Sequence, residues 1–248
     1  MRTLQNWFET PLGRLLAEAE RQALDRHLDR WAGATLLQMG GFGHGQRVLR
    51  ANTSRQWLVD RDPAGRVDCV LRPEQLPFQS GSMDIVVLVH SLEFSNNPHR
   101  VLREAERVLA PEGYLLVLGF NLLSLWGAAH SIPALQRRGP PWNGHYFTHR
   151  RVRDWLTLLD LEMVGVEHHF YRPPISRGRL QERLLPLENW APRLVPWFGG
   201  IYLTVARKHV VGVTPLRPAW RRRPRLVAGG VAQPSSRKIT NVVLRRDL

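Results

Sequence analysis

Leu76-Pro77-Phe78-Gln79-Ser80-Gly81-Ser82-Met83-Asp84-Ile85-Val86-Val87-Leu88-Val89 runs from a loop punctuated by Pro77 and Gly81 into a continuous apolar stretch. A strand with one wet face alternates apolar and polar residues, so Ile85–Val89 predicts a strand buried on both faces. Pro98–Leu109 follows with helical periodicity. Pro98 pre-sets the first turn, and Val101, Leu102, Ala105, Val108 and Leu109 fall on one face. Pro111-Glu112-Gly113 then ends the helix, and Tyr114-Leu-Leu-Val-Leu-Gly-Phe120 reads as a second buried strand.

The same alternation extends upstream. Thr35–Met39 is a short apolar run that breaks into Gly40-Gly-Phe-Gly-His-Gly45, and Gln56–Asp60 and Val67–Leu71 are two further short strands. Residues 1–31 carry Phe8, Leu12, Leu15, Leu16, Ala19, Leu24 and Leu28 at the spacing of an amphipathic helix, with Pro11 where a first turn tolerates it. Downstream, Thr148 caps a helix to Leu159, and Met163–Tyr171 and Gly200–Lys208 are strand candidates. Strands alternating with helices predict an α/β domain with a Rossmann-like, doubly wound, mostly parallel sheet.

The organisation expected is an N-terminal amphipathic region over 1–31 and a domain over 32–211, followed by a tail over 212–248. Segments 121–147 and 172–199 are long, rich in Pro and Trp and without clear periodicity, which marks them as insertions. The tail, poor in large apolar residues, reads as disordered.

Charge is distributed unevenly. The chain carries +14, of which +8 falls on residues 212–248, where nine basic residues face the single acid Asp247. The Arg221-Arg-Arg223 cluster there offers a contact for RNA phosphate or anionic lipid, or is simply solvated. One cysteine, Cys69, excludes an intramolecular disulfide framework and points to a reducing, cytoplasmic setting. The start, Met1–Asn6, runs into Glu9 and Arg14 without the apolar core of a secretory signal. Gly113–Gln136 holds no Asp, Glu, Lys or Arg, but Gly119, Asn121, Ser124, Gly127 and Pro133 argue against a membrane span.

Taken together, Leu76-Pro77-Phe78…Ser82-x-Asp84 and Arg107-Val108-Leu109-Ala110-Pro111-Glu112-Gly113 resemble the type 11 branch of the class I S-adenosylmethionine-dependent methyltransferases. The resemblance covers about residues 34–120; Gly119–Trp126 and Tyr171–Pro174 are similar to a bacterial subgroup of that family. It implies a seven-stranded sheet with a reversed last strand, and S-adenosylmethionine as cofactor.

The resemblance also implies site residues. Gly40, Gly41, Gly43 and Gly45 line the methionine end of the cofactor, although Gln38 or Met39 stands where the family carries an acid. Asp60, or second Asp62, accepts from the ribose hydroxyls, since a carboxylate has only acceptor oxygens. Arg72 occupies the position of an acid that faces the adenine, leaving Glu74 or Gln75 to substitute, with the backbone at Gln75 and Leu76 beside the ring. His90 either contacts the methionine moiety or acts as general base, or else only caps a strand end. Glu93 faces either the pocket or solvent.

Trp126, Trp142, Tyr146, Phe147, Trp190 and Trp197 either wall a substrate site or pack the insertions down. His168 and His169 point to opposite faces of a strand, so no metal site is expected. These readings give methyl transfer to a small-molecule acceptor as the expected function. The alternatives are a catalytically inactive relative, supported by Gln38, Arg72 and a short second crossover, and an RNA methyltransferase steered by the tail.

Overall fold

The computed structural model describes residues 4–28, 34–41, 53–61, 67–175, 181 and 183–209. The readings placed on Gly43, Gly45, Asp62, Arg221–Arg223 and the tail lie outside them.

Two helices open the chain, α1 (Leu4–Phe8) and α2 (Pro11–Leu28), where periodicity predicts one. The break falls at Thr10, whose hydroxyl accepts from Gly13 N–H at 3.1 Å and so caps α2 just ahead of Pro11. Strands β1 (Thr35–Met39), β2 (Arg55–Asp60), β3 (Cys69–Val70) and β4 (Met83–Val89) follow. Helix α3 (Pro98–Val108) leads into β5 (Leu109–Phe120). Asn97 accepts from Arg100 N–H at the start of α3, and β5 begins at Leu109, so Pro111-Glu112-Gly113 lies within the strand. Two short helices, α4 (Leu125–His130) and α5 (Pro133–Gln136), occupy the first insertion. Then come α6 (His149–Thr157), capped by Thr148, and β6 (Leu161–His169). The second insertion holds α7 (Leu187–Leu194) and a 3₁₀ turn, Pro196–Phe198, before β7 (Ile201–Lys208).

The sheet has seven strands in the order β3-β2-β1-β4-β5-β7-β6. The first five pair in parallel, while β7 runs antiparallel to both β5 and β6. This is the doubly wound sheet with a reversed last strand that the motifs imply. Its two faces show why β4 lacks alternation. Ile85, Val87 and Val89 pack with Leu12, Leu16 and Leu24 of α2, while Val86 and Leu88 pack with Val101, Leu102 and Val108 of α3. Each fully buried side chain of this size contributes roughly 1.5–3 kcal/mol.

Among the described residues no helix is long and apolar enough to cross a membrane. The uncharged stretch from Gly113 is instead the inner part of β5 followed by α4 and α5.

Candidate functional site

The strand order reverses between β1 and β4, and ligands of open α/β sheets bind at the carboxyl ends beside such a switch point. A cavity of about 400 Å³ lies there. Gly40 and Gly41 follow β1, Asp60 and Arg61 end β2, and His90 and Ser91 follow β4; all six line it, with Leu4 and Gln5 of α1 opposite and Phe94 and Pro140 at its edge.

Gly40 has to be glycine. Its φ is +88°, and a Cβ would stand 2.2 Å from the Val89 carbonyl oxygen, so any side chain would push β1 off β4. Its carbonyl accepts from the buried Gln38 side chain at 2.8 Å, a bond that a carboxylate at position 38 has no proton to make. Asp60 faces both walls of the cleft. Its Oδ2 accepts from Gly41 N–H at 3.2 Å and from Gln5 Nε2 at 2.9 Å. Gln5 itself is buried, and its Oε1 has no hydrogen-bond partner among the described residues.

His90 sits at the end of β4 with φ of 49°, a region a non-glycine residue occupies only when its surroundings hold it there. Its Nε2 is 2.8 Å from Glu20 Oε1 of α2, and its Nδ1 is 3.4 Å from Glu93 Oε1. All three side chains are essentially inaccessible to water. Phe120 stacks on the imidazole with centroids 4.1 Å apart. Burial alone would lower the His90 pKa, but Glu20 and then Glu93 raise it to about 10. Burial pushes Glu20 above the usual carboxylate range, against the pull of His90. Glu93 faces inward, and its Oε1 also accepts from Phe120 N–H at 2.7 Å.

The residues expected at the adenine end are only partly together. Glu74 and Gln75 border a second, polar cavity of about 500 Å³ with Arg72, Asn97 and Arg100, which shares Arg61 with the first. Burial would raise Glu74, but hydrogen bonds from Ser95 at 2.7 Å and Arg61 at 2.6 Å hold it below the usual carboxylate range. Leu76 stands apart in the core. Its N–H donates to Glu104 and its carbonyl accepts from Arg107, both at 2.9 Å.

Among the insertion aromatics, Trp126, Trp142 and Tyr146 are buried in a stack with Phe120, and Phe147 packs on Trp155. Trp190 and Trp197 are exposed. His168 contacts His149 at 3.3 Å, whereas His169 contacts Glu167 at 3.1 Å. No group of three His, Cys, Asp or Glu among the described residues is placed to hold a metal.

Sequence reasoning passes over two residues of this site, Gln5 and Glu20. For Glu20 a signal exists. It continues the stripe Leu12–Leu16–Glu20–Leu24 at four-residue spacing, and a carboxylate on an apolar stripe needs a buried partner. Nothing in the sequence marks Gln5, because its partner lies 55 residues away.

A seven-stranded sheet in this strand order, with β7 reversed, is the fold of the class I S-adenosylmethionine-dependent methyltransferases. The family model described as Methyltransferase domain matches residues 33–117. The uncharacterized protein YafS of Escherichia coli (strain K12) is 32% identical over 226 residues, 89% of this chain and 88% of its own. A ubiquinone biosynthesis O-methyltransferase of Xanthomonas oryzae pv. oryzae is 29% identical over 111 residues, 42% of this chain and 46% of that protein. Among solved structures, an S-adenosylmethionine-dependent methyltransferase from Thermotoga maritima, a possible histamine N-methyltransferase, superposes with TM-score 0.58 at 18% identity, covering 79% of this chain and 91% of that one. A geranyl diphosphate methyltransferase in complex with GPP and sinefungin gives TM-score 0.54 at 15% identity, covering 82% and 81%. The chain belongs to one family with YafS and carries the methyltransferase domain over residues 33–117, and that domain implies S-adenosylmethionine as cofactor.

The cleft fits that cofactor chemically. The ribose offers two hydroxyl donors, and the walls present the Asp60 carboxylate and the unpartnered Gln5 oxygen as acceptors.

Proposed function

We propose that the chain transfers a methyl group from S-adenosylmethionine to a small-molecule acceptor in the cleft at the ends of β1, β2 and β4. The observation that carries this reading is the convergence of Gly41, Asp60, Gln5 and His90 on one cavity at the switch point. When bound, S-adenosylmethionine supplies a methyl group on a cationic sulfur, ready for in-line displacement.

Asp60 and Gln5 take the ribose hydroxyls. Gly40 and Gly41 line the methionine end. Glu74 and Gln75 border the adenine end, where Arg72 donates rather than accepts and the Leu76 backbone is taken up by Glu104 and Arg107. His90 forms the floor. Both its ring nitrogens face carboxylates and its pKa of about 10 keeps it protonated at neutral pH, so it is a positioning residue and not a base. Rate then comes from positioning and exclusion of water, and the acceptor must be nucleophilic without a base from this floor.

A small-molecule acceptor is supported by the similarity over 111 residues to a ubiquinone biosynthesis O-methyltransferase. The setting we assign is the cytoplasm. The test is transfer of labelled methyl from S-adenosylmethionine into fractionated cell extract. Label is expected in the small-molecule fraction; label in RNA would overturn the acceptor class. Cofactor binding with no label in any fraction would favour the inactive relative, the reading that Gln38 and Arg72 support.

A further inference from the structure

The two insertions meet on one surface that the cleft does not use. On the first, Leu122, Leu123 and Leu125 are exposed by 39, 48 and 40%. On the second, Trp190, Leu194 and Trp197 are exposed by 47, 69 and 53%. Asn121 joins the two stretches, because its Nδ2 donates to the carbonyls of Leu123 at 3.3 Å and Trp197 at 2.9 Å. Trp190 and Leu194 stand four residues apart on α7 and so share its outer side, while Ala191 is buried. Isolated exposed apolar residues are ordinary, but tryptophan and leucine side chains gathered from two segments mark an interaction surface.

The charge around it narrows the partner. Residues 121–147 contain Arg137 and Arg138, both exposed, and no Asp or Glu. Among residues 183–198, Arg183 and Arg193 are exposed, and Glu188 is spent on Tyr171 N–H and on Arg172. An apolar face whose two segments carry exposed arginines and, among the described residues, no outward carboxylate matches an anionic bilayer: indoles and leucines enter the interface while guanidiniums meet phosphate. Pro140, two residues beyond Arg138, lines the cleft, so the same insertion runs from this surface to the cofactor cavity.

We propose that this surface docks the protein onto an anionic lipid bilayer. If the methyl-transfer reading holds, this docking favours an acceptor drawn from the lipid phase. The test uses the full chain with vesicles of phosphatidylcholine alone, or with about a quarter phosphatidylglycerol, each carrying brominated acyl chains that quench inserted tryptophan. Wild type should partition onto the anionic vesicles with quenching and only weakly onto the neutral ones. Trp190→Ala/Trp197→Ala should lower partition by about tenfold or more and remove most of the quenching. Its melting curve and S-adenosylmethionine affinity should be unchanged, since neither side chain lines the cleft. Leu122→Ser/Leu123→Ser should act in the same direction. No partition of wild type would overturn the proposal. So would partition that both double variants leave intact, which would assign adsorption to the basic residues of 212–248. Neither arm measures methyl transfer, so the proposal can fail while that reading stands.

Discussion

The two walls of the cleft have different origins. One is the carboxyl edge of the sheet, where Gly40, Gly41, Asp60 and His90 each stand at the end of a strand. The other comes from the first two helices, which bring Gln5 to Asp60 across 55 residues of chain and Glu20 to His90 across 70. The sheet edge fixes where a ligand lies, because strand register sets the spacing of its residues. The helical wall supplies what the edge lacks: a second acceptor beside Asp60, and a buried counter-charge that keeps His90 protonated.

Removing that counter-charge gives the largest expected effect. Glu20→Ala leaves His90 buried beside one carboxylate at 3.4 Å, and loss of one partner of a buried pair costs about 3–5 kcal/mol. Urea unfolding measures it, and a change within error of zero would show that the two walls are not tied through this pair. Asp60→Ala comes next. It deletes charged hydrogen bonds worth about 1.5–3 kcal/mol each, so S-adenosylmethionine affinity should fall roughly 100-fold with the sheet intact. Gln5→Ala removes neutral hydrogen bonds of about 1 kcal/mol each and should weaken the same affinity by roughly fivefold. Equal losses at positions 5 and 60 would erase the distinction between a wall that binds and a wall that assists.

The pH dependence sharpens the contrast with the smallest signal. The folded-state pKa of His90 is raised to about 10 from an ordinary 6.5. The stability it contributes is therefore complete below about 6.5 and is lost as pH climbs through about 10. Nitrogen-15 NMR of the imidazole should show a protonated ring from pH 6 to about 9 in the wild type. In Glu20→Gln, whose lost carboxylate is the largest raising influence, the transition should move to lower pH.

What the sequence reveals follows the same division. Strands β1, β4 and β7 and helix α3 are legible because their apolar patterns are local and β4 is dry on both faces. The glycine turn and Asp60 are legible because family motifs occupy short, contiguous stretches. Gln5 is not, since nothing near it announces an acceptor 55 residues on. Glu20 is legible only as an anomaly on an apolar stripe, and its partner becomes visible once α2 is laid across β4. Leu76 shows the converse. Its place in the motif suggests a ligand contact, yet Glu104 and Arg107 take up its backbone N–H and carbonyl, so that part of the motif holds the loop onto α3.

The central claim is that the cavity between these walls holds S-adenosylmethionine. Calorimetric titration of the full chain with S-adenosylmethionine and S-adenosylhomocysteine, beside Gly41→Trp, tests it most directly. Saturable one-site binding that Gly41→Trp abolishes, with both proteins melting alike, is the predicted result. No heat up to millimolar ligand from folded protein, or binding that the indole leaves untouched, would contradict it.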